Sequence, residues 1–321
     1  MNIPILILYP HSRCNCRCLM CDIWKTTDAR EITVADLERH AADIESLGVR
    51  WVIFSGGEPL MHSDLFRLCE RLRPLGVRLT MLSTGILLEK HAHAIVEYLD
   101  EAIVSLDGPR EVHDRIRRVP SAYDRMRAGV CALHRLQPDF AVAARCTVQK
   151  QNCGSLAATV IAARQMGLRS ISFLAADLTS SAFNRPDRWP LERQAEVGLN
   201  ANEIAILERE IESLPTDGFV LETPEKLRRI AHHFRAHLGL VEPVSPRCNA
   251  PWVSAVVESD GTVRPCFFHE PIGSVEQDSL LQVLTGPRAV EFRRSLAVAE
   301  NPVCRRCVCS LYLTTPGKPS P

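Results

Sequence analysis

Several things are scarce in this sequence, and each scarcity excludes a class of protein. No apolar run reaches the roughly 18 residues that a membrane-crossing helix needs. Neither sign of charge is in excess, because 38 Lys plus Arg balance 38 Asp plus Glu. The basic stripe of a nucleic-acid-binding protein and the acidic tail of an interaction module are therefore both missing. There is no internal repeat and no low-complexity segment. The apolar stretch Ile3–Tyr9 is short, has no basic stretch ahead of it and no small-residue cleavage site behind it, so it reads as a strand and not as a secretory signal. What remains is a globular chain expected in the cytoplasm, away from membranes and nucleic acids. Its 321 residues suit one large α/β domain and a smaller appendage.

Cysteine, by contrast, is abundant, with 13 in the chain. Disulfides would explain such richness in a small secreted protein, whereas in an intracellular α/β chain metal or redox chemistry explains it better. The distribution is uneven. Cys14, Cys16, Cys18 and Cys21 crowd one end and Cys304, Cys307 and Cys309 the other, while Cys69, Cys131, Cys146 and Cys153 scatter as core residues do. Two metal sites are expected.

Between these ends, strand-like and helix-like patterns alternate. Strands are expected at Ile3–Leu8, Trp51–Ser55, Arg78–Ser83, Glu101–Asp107, Ala141–Val148 and Ser170–Asp177. Helices are expected from the capping-box-like Thr33-Val-Ala-Asp36 to Gly48, and near 63–73, 89–98, 123–136 and 155–166. Repeated βα units imply a parallel sheet with helices outside. Six units suit a partial (βα)6 barrel, whose ligands lie at the C-terminal ends of the strands. Helices follow near 202–214 and 224–238, with a short strand at Gly218–Glu222. The joint Glu242-Pro-Val-Ser-Pro246 marks a boundary between residues 1–240 and 241–321. The second part begins with a hairpin, Ser254–Ser259 and Thr262–Cys266 around Asp260-Gly261.

The residues just after each strand carry the chemistry. Cys14, Cys18 and Cys21 form C-x3-C-x2-C directly after the first strand. Thiolates are soft ligands that suit zinc or iron–sulfur clusters, and Cys16 within the loop keeps a four-thiolate zinc site open. Gly56-Gly57-Glu58-Pro59 follows the second strand, where glycines let backbone approach a ligand closely. Ser83-Thr84-Gly85 ends the third, Ser105-Leu106-Asp107-Gly108 the fourth, and Arg145 sits on the fifth. These matches, in this order, resemble the radical S-adenosylmethionine (SAM) superfamily over about residues 3–177. Met20 departs from the aromatic residue that many members carry there.

The resemblance implies that Cys14, Cys18 and Cys21 hold a 4Fe–4S cluster with one iron open to SAM. It also implies that the Gly56, Gly57, Glu58, Pro59 segment, Ser83, Ser105 and Arg145 bind SAM, Arg145 by a guanidinium fork on a carboxylate. Cys248, Cys266, Cys304 and Cys307, with the hairpin between the first two, resemble the SPASM/twitch extension in its short form. They imply a second, auxiliary 4Fe–4S cluster, for which structural zinc is the alternative; Cys309 is left over. Asp107 and Asp177 are the candidate catalytic residues, and Thr179, Asn184 and Arg185 candidate substrate contacts. His232, His233 and His237 read as helix-surface residues. The expected partners are a flavodoxin- or ferredoxin-like electron donor and a small-molecule substrate in preference to a peptide, because the cysteine loop starts at residue 14. The expected reaction is hydrogen abstraction by a 5′-deoxyadenosyl radical with net oxidation through the auxiliary cluster. A peptide-modifying maturase and a zinc-stabilised binding protein are the alternatives.

Overall fold

The computed structural model describes residues 2–185 and 187–314. Six parallel strands alternate with helices: β1 (Ile5–Leu8), α1 (Val34–Arg39), α2 (Ala41–Ser46), β2 (Trp51–Phe54), α3 (Leu65–Leu72), β3 (Arg78–Ser83), α4 (Leu88–Tyr98), β4 (Glu101–Ser105), α5 (Arg110–Arg117), α6 (Ala122–Leu136), β5 (Ala141–Val148), α7 (Leu156–Gln165) and β6 (Ile171–Ala175). Each strand pairs with its sequence neighbour in parallel. The strands sit where apolar periodicity puts them, and α1 starts on the expected box. There the Thr33 Oγ1 accepts from Asp36 N at 3.1 Å, and Asp36 Oδ2 accepts from Thr33 N at 2.9 Å.

The remaining elements are α8 (Leu191–Val197), α9 (Ala201–Glu212), α10 (Pro224–His237), α11 (Ala250–Val253), β7 (Ser254–Val257), β8 (Thr262–Arg264), β9 (Gly273–Ser274), α12 (Leu280–Thr285), α13 (Pro287–Ser295) and α14 (Pro302–Arg305). Three details differ from expectation. The helix expected from Thr33 to Gly48 is broken at His40, and α5, α8 and α11 to α14 are additional. The strand expected at Gly218–Glu222 is reduced to one bridge, Val220 beside Ile171.

The hairpin is also more than an appendage. β7 pairs in parallel with β1, Ile5 beside Ser254 through Leu8 beside Val257. One sheet of nine strands results, in the order β6-β5-β4-β3-β2-β1-β7-β8-β9. All four residues of β7 are buried, as expected of a strand covered on both faces. The inner side carries Ile5, Ile7 and Val256, packed with Trp51, Ile53, Phe267, Leu311 and Leu313. Asn249 fastens that last segment: its Nδ2 donates to Leu313 O at 2.8 Å and its Oδ1 accepts from Leu313 N at 3.0 Å. Among the described residues, no helix is long and apolar enough to cross a membrane.

Outside the sheet, α4 and α6 lie in close contact at Gly129. A Cβ there would fall 2.4 Å from Leu88 Cβ and 3.1 Å from Glu89 N. Helix propensity alone favours alanine by about 1 kcal/mol, while overpacking costs about 1–3 kcal/mol. Gly129→Ala is expected to lower the urea midpoint of unfolding; a raised midpoint would show that the helices are not in contact there.

Candidate functional site

The first cysteine loop leaves β1 and is held from four directions. From β2's end, Glu58 N donates to Arg13 O at 2.9 Å, and a Cβ on Gly57 would sit 2.0 Å from that same oxygen. From β3's end, Thr84 Oγ1 donates to Asn15 Oδ1 at 3.0 Å. From α5, the carbonyls of Arg117 and Ile116 accept from Arg17 N and Leu19 N, each at 3.1 Å. From the segment after β6, Arg185 Nη2 donates to Met20 O at 3.1 Å. A loop of thiols is thus held largely by contacts to its backbone.

Cys14 and Cys21 are half-buried, and Cys18 is buried. Cys18 Sγ accepts from Arg117 Nη1 at 3.4 Å, and Cys21 Sγ from Ile23 N at 3.5 Å. The Cys16 thiol hydrogen-bonded to Cys18, aided by the Arg117 guanidinium, pulls Cys18 down to about 7 against the opposing effect of burial. Burial pushes Cys21 up to about 12 and Cys14 up as well, and the neighbouring Cys18 adds to the effect in both. Crowded thiols with N–H donors aimed at their sulfurs are what a cationic cluster stabilises as thiolates. Cys16 itself is buried in the core.

Glu58 is fully buried, and its carboxylate accepts from Ser83 Oγ, Thr84 N, Thr84 Oγ1 and Leu60 N between 2.7 and 3.1 Å. The hydroxyl of Ser83 donates to Glu58 in this way. Pro59 opens the short 3-10 turn Pro59–Met61. The backbone of Gly56 and Gly57 remains as the presented surface. Gly56 has φ +90°, and a Cβ there would meet the Tyr9 ring at 2.5 Å.

Ser105 and Arg145 are register partners on β4 and β5, so their side chains share the inner face. Arg145 is exposed there, tethered only by Nε to Ser172 Oγ at 3.2 Å. The two candidate aspartates lie elsewhere. Asp107 is fully buried, paired with Arg117 Nη2 at 2.6 Å, and accepts from Thr147 N at 3.0 Å. It touches the cluster loop only through Arg117, which makes it a positioning residue where a catalytic one was expected. Asp177 is likewise buried, paired with Arg185 Nη1 at 2.6 Å and bound by Ser180 Oγ at 2.5 Å. Through Arg185 it secures the cluster loop, and it does not line the cavity. Arg185, expected at the mouth, is buried beside it.

The cavity inside the half-barrel is about 300 Å³ and is lined by Arg145, Ser172 and all five C-terminal thiols: Cys248, Cys266, Cys304, Cys307 and Cys309. Cys309, supernumerary by sequence, therefore faces the same space as the other four. Burial pushes Cys304 and Cys309 each up to about 11. Among the described residues no three His, Cys, Asp or Glu side chains are placed to hold a single metal ion. Cys248 Sγ accepts from Ala250 N at 3.5 Å. His269 Nε2 lies 3.3 Å from Cys304 Sγ, with its ring edge-on to Phe292 at 4.9 Å. Arg229 Nη1 donates to Cys307 O at 3.1 Å and shapes the loop between Cys307 and Cys309.

Sequence reading missed His233. It lines the cavity, its Nε2 is buried without a hydrogen-bond partner, and burial lowers its pKa to about 4. The signal was available: the buried stripe Leu227, Ile230, Ala231, Phe234 puts position 233 at the margin of the packed face and not on the solvent side.

Comparison with known proteins agrees with this geometry. Residues 8–147 match the radical SAM superfamily, and residues 248–308 match the SPASM iron–sulfur cluster-binding domain. A 175-residue stretch is 32% identical to an AdoMet-dependent heme synthase of Methanosarcina barkeri, covering 52% of this chain and 49% of that protein. A 154-residue stretch is 34% identical to a pre-heme d1 synthase of Dinoroseobacter shibae, covering 46% of this chain and 37% of that protein. The matched stretch spans about half or less of these relatives. Among solved structures, Streptococcus suis SuiB bound to the precursor peptide SuiA superposes with TM-score 0.66 at 17% identity, covering 97% of this chain and 72% of that one. The anSMEcpe enzyme with bound AdoMet and Cp18Cys peptide gives 0.65 at 18%, covering 90% and 81%. These two show the fold alone. With a thiol loop fit for a SAM-binding 4Fe–4S cluster and a second thiol set fit for an auxiliary one, the chain belongs to the radical SAM superfamily and carries a C-terminal SPASM domain.

Proposed function

We propose that this chain cleaves SAM reductively and oxidises a small molecule held in the half-barrel cavity, in the cytoplasm and with electrons from a flavodoxin- or ferredoxin-like donor. When bound, the first cluster and SAM supply methionine and a hydrogen-abstracting 5′-deoxyadenosyl radical. The protein's part is positioning. Cys14, Cys18 and Cys21 hold the cluster, the Gly56–Gly57 backbone and the inner-face pair Ser105 and Arg145 orient SAM, and the apolar walls exclude water. The observation that carries the oxidative reading is the shared cavity: the inner face of β5 and β6 and the C-terminal thiols border one space. A substrate there borders the thiols Cys248, Cys266, Cys304 and Cys307, and an auxiliary cluster held by them would accept the electron that leaves it. The volume sits at the low end of the range for small-molecule sites, about 300–1,000 Å³.

A peptide substrate is the second reading. A separate, larger opening of about 760 Å³, lined by Gly56, Gly57, Phe183, Phe267 and Phe268, lies between the cysteine loop and the hairpin and gives room for an extended chain.

Three outcomes are expected. Anaerobic reconstitution loads about eight irons per chain. Replacing Cys248, Cys266, Cys304 and Cys307 by alanine halves the iron and leaves SAM cleavage intact, whereas replacing Cys14, Cys18 and Cys21 abolishes cleavage; one stoichiometric zinc in place of the second cluster would overturn the oxidative reading. With substrate, one SAM is consumed per product, and SAM regenerated at each turnover would contradict net oxidation.

The buried pair makes a separate prediction. Arg117→Met leaves Asp107 buried and uncompensated, and should cost about 3–5 kcal/mol in unfolding free energy. Asp107→Asn in the same chain should recover part of that loss. Equal midpoints for parent and Arg117→Met would show that the pair is not closed in solution.

A further inference from the structure

Backbone N–H groups bond two of the C-terminal sulfurs. Cys248 Sγ accepts from Ala250 N at 3.5 Å, and the amides of Phe268 and His269 bond Cys266. Cys304 is met by a side chain instead: His269 Nε2 lies 3.3 Å from its sulfur. The imidazole is buried and held on both sides. Its ring stands edge-on to Phe292 of α13, with the centroids 4.9 Å apart. The carbonyl of His269 accepts from Arg264 Nη1 at 3.2 Å, and Arg264 Nε donates to Glu258 Oε1 at 2.7 Å. Glu258 follows β7 and Arg264 ends β8, whereas Cys304 lies on α14. The hairpin thus carries an imidazole across to a sulfur of another segment. Other histidines of the chain turn Nε2 to main-chain oxygens, as His62 does to Ile32 O and His232 to Glu242 O, each at 2.9 Å.

A cation accompanies the same thiols. Arg229 is half-buried, and its guanidinium bonds the carbonyls of Cys307 and Val308 at 3.1 and 3.5 Å. No carboxylate lies within ion-pair distance of it among the described residues. Cys307, Cys309 and Cys248 are near enough to act on its charge.

A thiolate that ligates iron carries no proton, so the proton between the two groups sits on His269 Nε2. We propose that His269, by donating this proton in a hydrogen bond to Cys304 Sγ, raises the reduction potential of the auxiliary cluster and so tunes it as an electron acceptor. The inference rests on the reading above that these thiols hold an iron–sulfur cluster, and it names the positioning residue that acts on that cluster through its ligand. Reduction adds one negative charge to cluster and sulfurs, and an N–H aimed at a sulfur stabilises the more negative form. The charge of Arg229 acts in the same direction. Both groups favour the state that has received an electron from substrate.

The test reads a potential and not turnover, because His269 also borders the cavity. The full chain carrying Cys14→Ala, Cys18→Ala and Cys21→Ala is reconstituted anaerobically, so that one cluster is observed. Its midpoint is measured by a redox titration followed in the EPR signal of the reduced form. In that chain, His269→Leu removes the donor and His269→Gln keeps an N–H near the place of Nε2. With about four irons bound in each, the midpoint of His269→Leu should fall by about 59 mV or more, a tenfold change in the equilibrium constant of a one-electron couple. His269→Gln should regain most of that fall. Equal midpoints with and without His269→Leu, or equal falls in both variants, would overturn the proposal. Should His269→Leu bind no cluster, histidine labelled with nitrogen-15 decides in the chain that keeps His269. A weak nitrogen coupling to the reduced cluster supports the hydrogen bond; no coupling, or the strong coupling of a directly ligating nitrogen, overturns it. One zinc in place of four irons would instead overturn the reading on which the proposal rests.

Discussion

Parallel pairing of β7 with β1 is the contact on which the rest of the site depends. Strand β1 is the first element of the barrel and leads directly into the cysteine loop, while β7 leads into the hairpin that separates Cys248 from Cys266. Four aligned residue pairs therefore fix the auxiliary thiols relative to the SAM-cluster thiols. Without this pairing the sheet would end at β1, leaving a row of unsatisfied backbone groups. It also draws the segment after Cys309 inward, where Leu311 and Leu313 pack on Ile5, Ile7 and Val256. The same apolar contacts that close the edge of the barrel close one side of the cavity.

Around the first loop, buried carboxylates are used for position and not for reaction. Glu58 ties the end of β2 to the end of β3, Asp107 holds Arg117 against Cys18, and Asp177 holds Arg185 against Met20. Burial raises the pKa of Glu58 and Asp107, yet each carboxylate has partners enough to remain useful as an acceptor. Three charged groups immobilised in this way cost desolvation. What they achieve is a thiol loop with little freedom, as a loop that would hold a cluster in one position requires.

Much of this was legible in the sequence, for a physical reason. Strand ends in a parallel sheet all point to one rim, so residues far apart in the chain, such as Cys14, Gly56, Ser105 and Arg145, can be placed together once the βα alternation is seen. What could not be read is anything that depends on which polar group finds which partner. Ser83 and Glu58 are each plausible ligand contacts alone and satisfy one another only in three dimensions. Asp107 sits one step beyond a strand end, where a catalytic carboxylate is expected, but Arg117 lies ten residues on in a helix whose existence the sequence pattern did not show. The β1–β7 pairing joins residues some 250 positions apart, and no local pattern encodes it; the buried run Ser254–Val257 indicates only that something covers both of its faces.

His233 and Cys309 show how the two halves of the chain come to share one chemistry. His233 stands on α10, before the boundary joint, and Cys309 lies after it, yet both line the cavity that Arg145 enters from β5. Asp177 acts electrostatically on both, favouring protonated forms: it raises the pKa of the imidazole and of the thiol. Arg145 opposes it at Cys309. This space thus borders a cation from the barrel, an imidazole whose Nε2 is buried without a partner and a wall of thiols, three groups that belong to different segments.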